Sequence, residues 1–356
     1  MKHHVAKIAL SACVLFAAAC SGPGATENET PEAGAKPDAG VLNIYSARHY
    51  PSDQAIYDSF EAETGIHVRA RQASADQLIE TMKAEGDASP ADLIISSDMG
   101  ALWRFKDAGL TQPVSSPTID AEIPDRLRDP EGHWFGLSRR LRGVVYDPAR
   151  ISVDQVDEWS DLTDPSLKGE ICVRSSSNVY NLSLMGEMIA RWGEDEAQNW
   201  ANGVVANMAR APQGGDTGQI KSVSAGECGI AISNHYYWVR LLADGSPSER
   251  EDTARTKLIF PSFDDGGGVH VNMTGASVAA NAPHPEAAIK FIEFLATPEA
   301  QTLLVTDTKE IPINADATLP TGLDAIPSYV ESDLPLEVLG ENQPMAQMIY
   351  DRAGWN

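Results

Sequence analysis

Three tyrosine-bearing stretches lie far apart in this chain: Arg48-His49-Tyr50-Pro51, Ser177-Asn178-Val179-Tyr180-Asn181 and Asn234-His235-Tyr236-Tyr237-Trp238. An ionised phenol is a hard anionic oxygen donor, and a small trivalent cation such as ferric iron gains most from several such donors at once. A free tyrosine titrates near pH 10, so clustered phenols serve as anions only where a strong Lewis acid drives off their protons. Taken together, the stretches look like one metal site assembled from distant parts of the sequence, with Tyr50, Tyr180, Tyr236 and Tyr237 as its phenols. The competing reading of a Tyr-Tyr pair is structural, with one ring packed and the other on the surface.

The elements that must position these residues follow from local pattern. Adjacent residues of a strand point to opposite faces, so Tyr236 and Tyr237 could not both reach one ion from a strand. At a helix start they can, and Asn234 is a good N-cap for a helix continuing from Trp238 to Ala243. The positive end of that helix also favours phenolate. Tyr50 precedes Pro51, which holds it extended at the mouth of a strand-to-helix loop. Such loops, at the carboxyl ends of parallel strands, are where α/β proteins bind ligands.

Strand and helix signals alternate along the rest of the chain. Strands are expected over Val41–Tyr45, Ile66–Arg71 and Asp92–Ile95, with helices over Pro51–Thr64, Ala75–Ala84 and Gly100–Ala108. This order specifies α/β architecture with parallel or mixed sheets. A strand Gly143–Tyr146 ends at Asp147-Pro148, where the chain enters a second lobe, and it returns near Gly266-Gly267-Gly268 before a strand Val269–Met273. Pro285–Leu295 is an amphipathic helix, and Thr297-Pro298 caps another. The stretch from Val41 to Asn356 exceeds what one compact core usually holds, so two lobes are expected. They divide as residues 41–142 plus 269–310 and residues 143–268 plus 311–356.

Residues 1–19 have the form of a secretory signal: Lys2 and Lys7, an apolar run too short to span a bilayer permanently, then small residues. Ala17-Ala18-Ala19-Cys20-Ser21 is similar to a lipoprotein processing site, with Ala17 where Leu is usual, so Cys20 is expected to carry lipid; ordinary cleavage to a free periplasmic protein is the alternative. Residues 20–40, with no aromatic residue and much Gly, Pro and Ala, are expected to form a flexible tether. Of the four cysteines, Cys13 leaves with the signal and Cys20 is lipidated, which leaves Cys172 and Cys228 to pair in an oxidising compartment. The net charge of −24 argues against nucleic acid or an anionic membrane surface as partner.

Val41 to about Asn314 resembles the periplasmic ferric-ion-binding proteins of ABC iron importers, the bacterial transferrins of the type II two-lobe class. The resemblance rests on IYSARHY, SPADLIISSD, GLSRR, EICVRSSSNVYN, AGECGIAISNHYYW and the run His270–Leu295. It implies that Tyr236 and Tyr237 are the paired tyrosine ligands, Tyr180 the third of the tyrosine-rich subgroup, and His49-Tyr50 the contribution of the first lobe. Members with a carboxylate ligand carry Glu after the SPAD strand; here Ile95-Ser96-Ser97-Asp98 stands instead, which leaves Asp98 as a weak substitute. The family pattern also singles out Arg140, within the basic cluster Arg139, Arg140 and Arg142, to offset excess phenolate charge or to hold a bound anion; a solvated basic loop is the competing reading. The implied cargo is Fe(III), with a synergistic anion or water in an open position. The implied partners are an ABC permease with its ATPase, the inner membrane through the lipid anchor, and no second copy of the chain.

Catalytic signatures do not emerge from the sequence: there is no His-Glu-x-x-His, Gly-x-Ser-x-Gly, Walker loop or dinucleotide fingerprint. Two rivals stay open. The same fold could take an oxyanion, polyamine or thiamine-like solute, or the scaffold could serve a periplasmic enzyme or sensor.

Overall fold

The computed structural model describes residues Gly40–Asn356 except Asp265; the expected secretory signal, Cys20 and most of the expected tether lie outside the described residues. Among the described residues, nine strands run Val41–Ser46 (β1), His67–Gln72 (β2), Leu93–Ser96 (β3), Phe135–Tyr146 (β4), Ile171–Cys172 (β5), Ile230–Asn234 (β6), Lys257–Ile259 (β7), Val271–Val278 (β8) and Ile311–Pro312 (β9). Their spatial order is β2-β1-β3-β8-β4-β6-β5, with β7 and β9 also paired to β4. β1 is parallel to β2 and β3, and β5 is parallel to β6. β8 is antiparallel to β3 and β4 on either side of it, and β6 is antiparallel to β4. The result is the mixed-sheet α/β fold of two-lobe, type II binding proteins.

β4 joins the two sheets. Phe135–Leu141 pairs with β8, whereas Arg142–Tyr146 pairs with β6 and, over its last three residues, with β7. The expected strand Gly143–Tyr146 is therefore the second half of a longer one, and the strand expected at Val269–Met273 runs Val271–Val278. The sequence hid the first half of β4 because Arg139 and Arg140 interrupt its apolar pattern. Arg140 and Arg142 are nevertheless only 1% exposed, so the solvated-loop reading of this basic cluster is incorrect. Ion pairs offset the cost of burying their charge: Arg142 with Asp216 at 3.0 Å, and Arg140 with Glu310 at 3.7 Å.

Separate apolar cores stand on either side of this junction. Leu42, Ile44, Phe60, Leu93, Phe105 and Phe291 belong to the first. Trp159, Met185, Trp200, Tyr350 and Trp355 form a second, beside a third that contains Cys172, Cys228, Trp238 and Val271. The C-terminal segment is shared: Ile313, Leu336 and Leu339 pack in the first core, Ala346 and Ile349 in the second.

Local chemistry fixes the element ends that matter for the site. The helix Asp53–Thr64 stops at Gly65, whose φ of 76° is left-handed and suits glycine. The helix Met99–Asp107 starts at Asp98, whose carboxylate accepts from Ala101 N at 3.0 Å. Cys172 and Cys228 are joined, with Cα atoms 6.0 Å apart and 56 residues of separation. Cys172 closes β5 and Cys228 lies just before β6, so the bridge staples the strands that feed the Tyr180 and Tyr236 segments. Closing such a loop contributes roughly 4 kcal/mol on the chain-entropy account.

Candidate metal centre

Each tyrosine segment leaves the carboxyl end of a strand. β1 leads to Arg48-His49-Tyr50, β5 to the helix Val179–Trp192 through Arg174–Asn178, and β6 directly to the helix His235–Asp244. Asn178 caps its helix by accepting from Tyr180 N at 3.1 Å. Asn234 occupies the N-cap position of the next helix in extended conformation, but its side chain makes no cap bond. It donates instead to Tyr236 Oη at 2.9 Å while accepting from Arg142 Nη1 at 2.9 Å. Tyr236 and Tyr237 occupy the first turn, as the strand-versus-helix argument requires, with ring centroids 4.5 Å apart.

Arg140 draws the distant tyrosines together. Its Nη2 donates to Tyr180 Oη at 3.2 Å and also to Tyr236 Oη, and its guanidinium carbon lies 4.9 Å and 4.7 Å from the two rings. A second guanidinium, Arg240, lies 5.0 Å from the Tyr236 ring, 4.8 Å from Tyr237 and 5.9 Å from Tyr50. Arg48 sits 4.6 Å from the Tyr50 ring. Four phenols from three segments thus surround two arginines. His49 is exposed; its ring stacks on Tyr50 at 6.2 Å and lines, with Asn178 and Tyr180, a cleft of about 490 Å³.

The electrostatics divide the phenols. Burial pushes Tyr236 far above the ordinary phenol range, and although Arg140 opposes this, the neighbouring tyrosines add to it. Burial likewise raises Tyr237 and Tyr50. Tyr180 is the exception: burial would raise it, but the Arg140 charge and hydrogen bonds from Tyr236 and Arg140 prevail and lower it. The free site therefore holds most of its phenols neutral and becomes anionic only when a cation displaces their protons. Among the described residues no group of three or more His, Cys, Asp or Glu side chains could hold a metal ion, so phenol oxygen is the donor this site offers.

Asp98 does not substitute for the missing glutamate. It is 1% exposed and saturated by Ala101 N, Ser183 Oγ at 2.9 Å and Asn272 Nδ2 at 2.7 Å. His235 is fully buried, with Nε2 3.0 Å from the Lys309 carbonyl, and burial depresses its pKa to about 4. It supports the helix start, its ring meeting that of Tyr236 edge-on with centroids 5.5 Å apart. Sequence reasoning missed Glu310, Asp216 and Arg240. Asp216 holds Arg142, Arg174 and the Asn234 backbone amide, yet nothing in Gly214-Gly215-Asp216-Thr217 announces it. Arg240 had a readable signal, since it lies four residues beyond Tyr236 on the same helical face.

Apolar cores on either side of the continuous strand β4, with tyrosine-bearing segments at strand carboxyl ends, define a two-lobe binding protein. The chain belongs to the bacterial extracellular solute-binding protein family, whose model matches residues 88–327. It is 38% identical over 314 residues to iron uptake protein A1 of Synechocystis, covering 88% of this chain and 87% of that one. Against the major ferric iron-binding protein of Neisseria meningitidis, identity is 27% over 325 residues, covering 90% and 95%. Among solved structures, a Trichodesmium protein in complex with iron and citrate superposes with a TM-score of 0.84 at 41% identity, covering 89% of this chain and all of the other. The ferric binding protein of Campylobacter jejuni gives 0.83 at 37% identity, covering 88% and 100%.

Proposed function

We propose that this chain is the substrate-binding component of an ABC-type iron importer, capturing ferric iron in its interlobe cleft and delivering it to a permease of the inner membrane. The observation that carries this reading is the convergence of Tyr50, Tyr180, Tyr236 and Tyr237 on Arg140 and Arg240, where no cluster of other metal-ligating side chains stands among the described residues. Relatives named for iron uptake and ferric binding support it. Binding and release, without chemical turnover, are the whole of the assigned activity. Four phenolates around Fe(III) carry one excess negative charge, and Arg140 offsets it where it touches two of them.

Capture works by closure about a hinge. The lobes are residues 41–142 plus 269–310 and residues 143–268 plus 311–356, joined by β4, whose first half pairs with β8 and whose second half pairs with β6. Tyr50, with His49 beside it, comes from the first lobe; Tyr180, Tyr236 and Tyr237 come from the second. Only the closed arrangement completes the shell, so the ion stabilises closure by its differential affinity for that state. The protein works in the periplasm as a monomer tethered through lipid on Cys20. An oxyanion, polyamine or thiamine-like solute is disfavoured because the relatives are named for iron uptake and ferric iron binding. The test is metal analysis of protein purified from iron-replete cells: about one iron per chain is expected, and a chain that carries an organic solute and no iron overturns the reading.

A further inference from the structure

Glu310 plays no part in the tyrosine scheme, yet its fully buried side chain faces both halves of the site. Its Oε1 lies 3.7 Å from Arg48 Nη1 and 3.7 Å from Arg140 Nε, and none of these three buried atoms has a hydrogen-bond partner among the described residues. Its Oε2 is anchored by Ser138 Oγ and, at 2.8 Å, by Thr274 Oγ1. Arg48 abuts the ring of first-lobe Tyr50 and is tied to Asp53 at 2.7 Å. Arg140 donates to second-lobe Tyr180 and Tyr236. One carboxylate oxygen therefore sits between the cation that serves each half.

The backbone that presents Glu310 is itself constrained. Lys309, at φ 59°, is the one non-glycine residue with positive φ among the described residues, a conformation disfavoured for a side chain of this kind. Contacts to both ends of the Tyr236-Tyr237 helix hold it there: its carbonyl accepts from His235 Nε2 at 3.0 Å, and its Nζ pairs with Asp244 at 3.1 Å. Those contacts aim the next residue, Glu310, at the two arginines.

We propose that Glu310 is a positioning residue of the iron site, a shared counter-ion that sets the placement and effective charge of Arg48 and Arg140 and, through them, of the tyrosines in both lobes. The inference rests on the ferric reading above. Burial pushes the Glu310 carboxyl up, but Arg140 and Arg48 outweigh it and hold the group below its ordinary range, hence ionised at neutral pH. Removing that negative charge leaves the phenols under uncompensated guanidinium charge, which favours the metal state with one more electron.

Iron-loaded wild type, Glu310→Gln and Glu310→Asp are compared by spectroelectrochemistry and by iron loss to a competing chelator. Glu310→Gln is expected to raise the Fe(III)/Fe(II) midpoint potential and to lose iron about ten- to a hundredfold faster, the usual effect of removing a group that orients metal ligands. Glu310→Asp, which keeps the charge, holds the wild-type potential. A midpoint unchanged in Glu310→Gln, or shifted equally in both variants, overturns the proposal, because a packing role is indifferent to charge. Should Glu310→Gln fail to fold, a shifted midpoint in Glu310→Asp alone overturns it. Wild-type protein that takes up no ferric iron defeats the functional reading and this inference with it, whereas iron-loaded wild type beside an unshifted glutamine variant defeats the inference only.

Discussion

Tyr236 is fully buried in the first turn of a helix with its oxygen held by Arg140 and Asn234, whereas Tyr50 is half-buried in the loop after β1, beside the guanidiniums of Arg48 and Arg240. The second-lobe half of the site is built on two helix starts, one capped by Asn178, whose parent strands are stapled by a disulfide. The first-lobe half hangs on a short loop fixed mainly through Arg48 and Asp53. On the proposed reading the difference suits a clamp, in which a preorganised half would select the ion and a simpler half would close over it. Preorganised donors lose less freedom when they bind and so contribute more to affinity.

That asymmetry can be broken experimentally. Substituting both Tyr236→Phe and Tyr237→Phe removes two donors from the preorganised half and is expected to cost well over the roughly hundredfold typical of losing a group that merely orients a ligand. Competition with a ferric chelator measures it, and Tyr50→Phe should cost less in the same assay. Acidification comes next. Tyr50, Tyr236 and Tyr237 have raised pKa values and are protonated at neutral pH in the free protein, so ferric binding as phenolate releases their protons. With those three protons released, affinity falls as pH falls, by about a thousandfold per pH unit, and titration across the neutral range checks the slope. Arg140→Gln leaves the phenolates without their shared cation and should weaken binding about ten- to a hundredfold. His49→Ala should be the mildest change, under about tenfold on the same scale, because its ring is exposed at the cleft wall. A larger loss than that of Tyr50→Phe would make His49 the principal first-lobe ligand and reverse the comparison on that side.

The sequence made the preorganised half more legible than its supports. Tyr236 and Tyr237 could share an ion only from a helix start, and Asn234 marked that start; the structure has the helix, though Asn234 holds a phenol rather than capping it. Most elements of the first lobe were readable because their apolar periods are regular and their ends carry Gly65, Asp98 or Thr297. β4 was half missed because a buried strand carrying three arginines has no periodic signature; it is permitted by Glu331, Glu310 and Asp216, distant in sequence and paired only by folding. Asp216 and Glu310 illustrate the same limit, since a buried counter-ion is defined by its partner and nothing local distinguishes it from a surface carboxylate.

The most direct measurement is the visible absorption spectrum of the mature protein titrated with a soluble ferric chelate, beside the Tyr236→Phe, Tyr237→Phe double variant. A red or orange tyrosinate-to-iron charge-transfer band that saturates near one ion per chain and vanishes in the variant is the predicted result. A protein that stays colourless throughout, or a band equally strong in the variant, would contradict iron capture by these tyrosines.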